Sequence, residues 1–121
     1  MLLCKKGRQA MTRQFIETTI FAKRWQEQGL DDTALMQLQD FILKNPNAGS
    51  IIQGTGGVTK LRWKLPNTGK SGGVRVLHVD FVKQQKIVLL SCYDKGTKDT
   101  LTDKEKAAFK EIVKQIGKEL K

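Results

Sequence analysis

The run Ile87-Val88-Leu89-Leu90-Ser91-Cys92-Tyr93 constrains the fold of this chain more than any other feature. It holds seven residues without a charge, a length that suits a strand. An apolar strand that does not alternate with polar residues has to be covered on both faces. The run is therefore expected to be a central strand. The polar turn Lys83-Gln84-Gln85-Lys86 ties it to a second strand, Val74-Arg75-Val76-Leu77-His78-Val79-Asp80-Phe81. The Gly/Lys/Ser-rich loop 66–73 ties that one to a third, Lys60-Leu61-Arg62-Trp63-Lys64-Leu65. Two hairpin connections in succession give a three-stranded antiparallel meander.

The segments around the meander are short and well punctuated. Residues 11–16 read as a short strand. Thr18 or Thr19 is a candidate N-cap for a helix through about residue 28, with Ile20, Phe21 and Trp25 on one face and Gly29 placed to end it. Asp31 and Asp32 put two carboxylates at the positive end of a second helix, along which Leu35, Met36, Leu38 and Ile42 recur at helical spacing. Asn45-Pro46-Asn47 stops it. Residues 48–57 read as an irregular connection anchored by Ile51 and Ile52. The surest element is the last. Thr102-Asp103-Lys104-Glu105 is a capping box, and Phe109, Ile112, Val113, Ile116 and Leu120 form an apolar stripe on a helix over residues 102–119. The expected fold class is α+β: a short N-terminal strand, a helical hairpin, the meander and a C-terminal helix that covers the sheet or is lent to a partner.

Charge narrows the function. The 121 residues carry a net charge of +10, which bears on partners more than on fold. Residues 50–100 hold nine Lys and Arg against three Asp, whereas each flanking third carries only +2. The usual partners of such a segment are nucleic acid, an anionic membrane surface or an acidic protein. No apolar run approaches the length of a membrane span. Residues 1–10 are basic but lack the apolar core of a signal peptide; they are expected to be a disordered extension, with Met11 a candidate start and 11–121 a single domain. Two cysteines, Cys4 and Cys92, make no disulfide framework and suit a reducing cytoplasm.

Several familiar chemistries are poorly served by this sequence. Gly54, Gly56 and Gly57 invite comparison with phosphate-binding glycine loops, but those need a helix to follow, and here a strand follows. The glycines are better read as letting the backbone enter the sheet edge. Two cysteines and one histidine do not build a typical zinc site, and the middle of the chain lacks the clustered carboxylates of a two-metal nuclease. What the middle does have is cations in order. Lys60, Arg62 and Lys64 alternate with Leu61, Trp63 and Leu65, so they share one face. Three cations with no carboxylate among them repel one another and call for an anionic partner.

RNA can be cut with such groups alone. The substrate's 2′-hydroxyl attacks the adjacent phosphate if a base takes its proton, cations hold the charge that develops on the phosphate oxygens and an acid protonates the leaving 5′-oxygen. Lysine, arginine and tyrosine can share these roles, and a lysine among cations is a better proton carrier near neutral pH. Lys60, Arg62, Arg75, Tyr93 and Lys95 are of the right types on strands expected to lie side by side, with Lys60 and Arg75 at the surface. Lys64, Lys70, His78 and Lys98 are candidate RNA contacts. His78, alone within a strand, reads more readily as a structural histidine than as a catalytic one.

Three motifs also carry a resemblance: Ile52-Gln53-Gly54-Thr55-Gly56-Gly57 leading to Lys60-Leu61-Arg62, then Gly69-Lys70-Ser71-Gly72-Gly73-Val74-Arg75, then Leu89-Leu90 to Tyr93-Asp94-Lys95. In order and spacing, from about Met11 to the C-terminus, the chain resembles the HigB branch of the RelE-type toxins of bacterial toxin–antitoxin modules. The resemblance implies a ribosome-dependent endoribonuclease that cuts mRNA without a cofactor. It also implies a cognate antitoxin, often a helix-turn-helix protein. It assigns the basic strand positions to Lys60, Arg62 and Lys64, the arginine after the glycine pair to Arg75, and the aromatic and basic residues after the last strand to Tyr93 and Lys95. His78 stands where many relatives have an aromatic residue, so no single general base is assigned. Two other readings compete: a non-catalytic RNA- or DNA-binding module on the same basic sheet, and a protein whose basic face docks an acidic chain.

Overall fold

A computed structural model of the chain describes residues 13–64, 73–94, 96 and 100–120. The elements run β1 (Gln14–Glu17), α1 (Thr19–Glu27), α2 (Asp32–Lys44), β2 (Ser50–Ile51), β3 (Thr59–Trp63), β4 (Val74–Phe81), β5 (Lys86–Asp94) and α3 (Asp103–Glu119). They form an α+β fold around one five-stranded sheet of order β1-β5-β4-β3-β2. The β3–β4–β5 meander is antiparallel, and β1 joins β5 in parallel.

The apolar run in β5 is covered on both sides. Ile87, Leu89 and Cys92 point to a core shared with Phe21 and Trp25 of α1 and Leu35, Leu38 and Ile42 of α2. Val88, Leu90 and Tyr93 point to the opposite core, with Leu77 and Val79 of β4 and Val113 of α3. The helical hairpin thus covers one face of the sheet and α3 the other. Continuous alternation breaks once. Leu77 pairs with Ser91 but His78 pairs with Leu89, a bulge that leaves Leu90 without an opposite residue.

The caps form where polar residues precede the apolar stripes. The Thr18 Oγ1 accepts from the Phe21 amide at 3.0 Å and donates to the Leu90 carbonyl at 2.7 Å, so one hydroxyl both starts α1 and ties it to β5. Asp31 caps α2 through the Ala34 amide, and the Trp25 Nε1 donates to the Asp31 carbonyl across the turn between the helices. In the capping box of α3 the Glu105 amide donates to the Thr102 Oγ1 and the Thr102 amide to the Glu105 carboxylate.

Some expectations change. Met36 is 69% exposed and Ile112 43%, so both leave the apolar stripes to which their spacing assigned them. Residues 48–57 are less irregular than expected. Ser50 and Ile51 add a fifth, edge strand that pairs with Lys60 and Thr59. Within this segment Ile52 packs against the α3-side core, while Ile51 is exposed and anchors nothing. The glycines of 54–57 serve the backbone as expected: Gly54, Gly56 and Gly57 all have positive φ, a conformation that side chains resist. Inside this turn the buried Thr55 hydroxyl donates to the Ile52 carbonyl and accepts from the Val58 amide.

Candidate active site

The register of the meander decides which cations meet. Arg62 of β3 lies opposite Arg75 of β4, and Arg75 lies opposite Tyr93 of β5. Directly opposed residues share a face, so Arg62, Arg75 and Tyr93 form one row across three strands. It is the α3 face, because Tyr93 belongs to that core and the neighbours of Arg62, Leu61 and Trp63, pack on the other. Lys60 sits one rung away on the same face, opposite Leu77. Strand parity gives Lys64 the same side, just past the end of β3.

Burial differs sharply along the row. Arg62 and Lys64 are exposed and Lys60 is half-buried. Arg75 is only 4% exposed, which corrects the expectation of a surface arginine. β4 has a neighbour on each side, and Arg75 is flanked within its row by Arg62 and Tyr93. Its guanidinium is therefore held in place as an exposed arginine is not. Tyr93 is 7% exposed and packs in the α3-side core.

A cavity of about 460 Å³ opens beside Tyr93. Its walls include Leu90, Ser91 and Tyr93 of β5, Phe109 and Ile112 of α3, and Ile20 and Arg24 of α1. Sequence reasoning missed Ser91 and Arg24 as parts of this wall. The signal for Ser91 was its place as the one aliphatic hydroxyl in an otherwise apolar run.

His78 is placed elsewhere. It lies on the helical-hairpin face, beside Ile42 and Leu43 of α2, and is 6% exposed. Neither ring nitrogen has a hydrogen-bond partner among the described residues. Burial lowers its pKa from the ordinary value, opposed in part by the nearby Asp80 carboxylate. Asp80 itself receives the Arg13 Nε at 3.0 Å. The sheet thus separates His78 from the row. Lys70, Lys95 and Lys98 lie outside the described residues. Among the described residues, no three His, Cys, Asp or Glu side chains gather as metal ligands would.

Fold and row together define a class: a small α+β protein that gathers arginine, lysine and tyrosine on one face of its sheet. Residues 12–120 match the family model described as the RelE toxin of the RelE / RelB toxin–antitoxin system. With nearly all of its length matched, the chain belongs to the RelE toxin family, whose members pair with an antitoxin. Among the described residues no helix is long and apolar enough to cross a membrane.

Proposed function

We propose that this toxin is an endoribonuclease of the HigB branch, which cuts mRNA on the ribosome in the cytoplasm and so stops translation. The observation that carries the reading is the row Arg62–Arg75–Tyr93, in register across three strands with Lys60 beside it. A phosphodiester laid along it meets the exposed Arg62 and the half-buried Lys60 at the surface, with the buried Arg75 and Tyr93 next in the row behind them.

The chemistry divides by residue type. Guanidinium groups do not give up a proton in proteins, so Arg62 and Arg75 hold the charge that grows on the phosphate oxygens. Lys60, Tyr93 and Lys95 are the groups able to carry a proton. One takes the proton of the 2′-hydroxyl, whose oxygen then bonds to phosphorus. The bond from phosphorus to the 5′-oxygen breaks, and a second group protonates that oxygen. The products are a 2′,3′-cyclic phosphate and a free 5′-hydroxyl. A single fixed charge of this kind is worth about 10²–10³ in rate, and a buried Arg75 is already ordered before substrate arrives. Lys64, Lys70 and Lys98 extend the RNA contact. His78 is left out of it, because α2 covers it on the far face.

Primer extension on mRNA from cells expressing the chain tests the reading. Cuts that keep to the reading frame, leaving 5′-hydroxyl ends, are the expected result. Intact mRNA bound in a salt-dependent way would favour a non-catalytic RNA-binding module and overturn the nuclease. A helix-turn-helix antitoxin is the partner that this reading assigns.

A further inference from the structure

Beyond the row, α3 carries an arrangement of charge that its own stability does not explain. Lys106, Lys110 and Lys114 follow one another four residues apart, so they form a ladder along one flank with a rise of about 6 Å per step. Like charges at this spacing destabilise a helix. None of the three is in an ion pair among the described residues.

The flank faces β3. The Lys106 stem lies 3.9 Å from where a Cβ would stand at Gly54, and the Lys110 Cγ lies 3.7 Å from the same position at Gly56. The turn 54–57 leads through Val58, which belongs to the α3-side core, into β3, where Lys60 and Arg62 follow on that same face. The aliphatic stems of Lys106 and Lys110 therefore rest on a glycine turn, which leaves their ammonium heads toward water. That turn joins the two sets of cations: Lys106 and Lys110 lie against it, with Lys114 a further turn of α3 on, and the chain that leaves it runs straight into Lys60, Arg62 and Lys64. The opposite flank of α3 differs, with Glu105 and Ile112 lining the cavity beside Tyr93.

We infer that the Lys106–Lys110–Lys114 flank of α3 is a binding surface for the phosphate backbone of single-stranded RNA, leading the strand over the turn 54–57 into the Arg62–Arg75–Tyr93 row. The inference rests on the RNA-directed reading above and adds to it a path for the strand. An RNA strand carries anions at short, repeated intervals, and a ladder of ammonium groups with partly ordered stems supplies the matching cations. The contact is to backbone, so it is indifferent to base sequence.

The probe is a labelled single-stranded oligoribonucleotide with 2′-O-methyl groups throughout, which the chain cannot cut. Its Kd is measured over a series of salt concentrations with the full chain. Each phosphate neutralised on a single strand contributes about 0.7 to the slope of log K against log salt. The triple variant Lys106→Gln, Lys110→Gln, Lys114→Gln is expected to lower that slope by about 2. The triple Lys→Arg variant keeps the charge and is expected to keep the slope. The pair Lys23→Gln, Lys83→Gln, outside the band, serves as control. An unchanged slope in the glutamine triple, with its circular dichroism and melting unaltered, overturns the inference. So does an equal loss per charge in the control pair. If mRNA is cut in cells while the slope does not move, the band fails and the nuclease stands. If the slope drops as expected while cellular mRNA stays whole, the band stands and the nuclease fails.

Discussion

Arg62 and Arg75 face each other directly across the β3–β4 ladder, two cations on one rung of a sheet. One is exposed and the other buried. Directly opposed like charges destabilise a strand pair, typically by a few tenths to about 1 kcal/mol. On the proposed function, a fold that keeps such a rung spends stability on a phosphate site. Arg62→Gln is therefore expected to raise stability by roughly 0.2–1 kcal/mol and to weaken growth arrest. Urea denaturation beside a plating assay checks both. A variant that is less stable and still fully toxic would remove Arg62 from the site.

Tyr93 separates packing from chemistry. Its ring belongs to the α3-side core, while its row position puts it next to Arg75. Tyr93→Phe keeps the ring and removes only the hydroxyl. Cleavage is expected to fall by about 10²–10⁴ if that hydroxyl moves a proton, with a stability change no larger than about 1.5 kcal/mol. Single-turnover cleavage of ribosome-bound mRNA measures the first and thermal melting the second. Unchanged cleavage would pass the proton-transfer roles to Lys60 and Lys95.

Much of this arrangement is legible in the sequence, and the rest is hidden for physical reasons. Alternation along 60–65 gives the cations of β3 one face, and the uncharged run in β5 requires cover on both sides. β4 is different. Val74, Val76, Leu77 and Val79 are apolar on both parities, so nothing in the pattern says that Arg75 joins the row while His78 faces the helices. Nor does the pattern reveal that Arg75 is buried, because burial comes from its strand neighbours. β2 is two residues long with no alternation to detect, and only the pairing of Ser50 with Lys60 reveals it. The lysine flank of α3 reads as an ordinary solvated face until the turn 54–57 is seen beneath it.

The placement of His78 sets a pH dependence. Its folded pKa lies below the ordinary 6.5, chiefly because burial disfavours the imidazolium. Arg13, in its ion pair with Asp80, and Asp80 itself are the charged groups lining the same small cavity. Below pH 6.5 the unfolded chain takes up the proton before the folded one does. The stability contributed by the neutral ring is thus whole above pH 6.5 and is lost as pH falls from there through the folded value. Melting temperatures measured between pH 7.5 and 5 are expected to drop more for the natural chain than for His78→Leu. Parallel curves for the two would show that His78 does not titrate on unfolding.

Burial acts on Cys92 in the opposite sense. The thiol is pushed up to about 12, mainly by desolvation, with Arg24 a smaller lowering influence and Glu27 a smaller raising one. The thiolate is the reactive form, so almost none is present near neutral pH. In a Cys4→Ser background, labelling by a disulfide reagent at pH 8 is expected to be slow without denaturant and fast in strong urea. Rapid labelling of the folded chain would mean that the β5 core opens readily.

Gly49 links the fold to the site. Its φ is +88°, and a Cβ there would stand 2.6 Å from the Lys60 carbonyl oxygen and 2.9 Å from the Thr59 Cγ2. Gly29 has a similar φ, +78°, with nothing within 4 Å. Gly29→Ala therefore meets only the conformational penalty, about 1–2 kcal/mol. Gly49→Ala meets that penalty and a contact with backbone that cannot swing aside. It is expected to cost more than Gly29→Ala, since β2 must part from β3 or the Lys60 backbone must shift. Either outcome moves Lys60 against the Arg62–Arg75–Tyr93 row, where a displacement of about 1 Å can cost 10²-fold in rate. Denaturation midpoints for the two alanine variants, compared with cleavage measured where both remain folded, separate the effects. Gly49→Ala is expected to lose cleavage and Gly29→Ala to keep it. Equal cleavage by the two would mean that the position of Lys60 does not matter to the reaction.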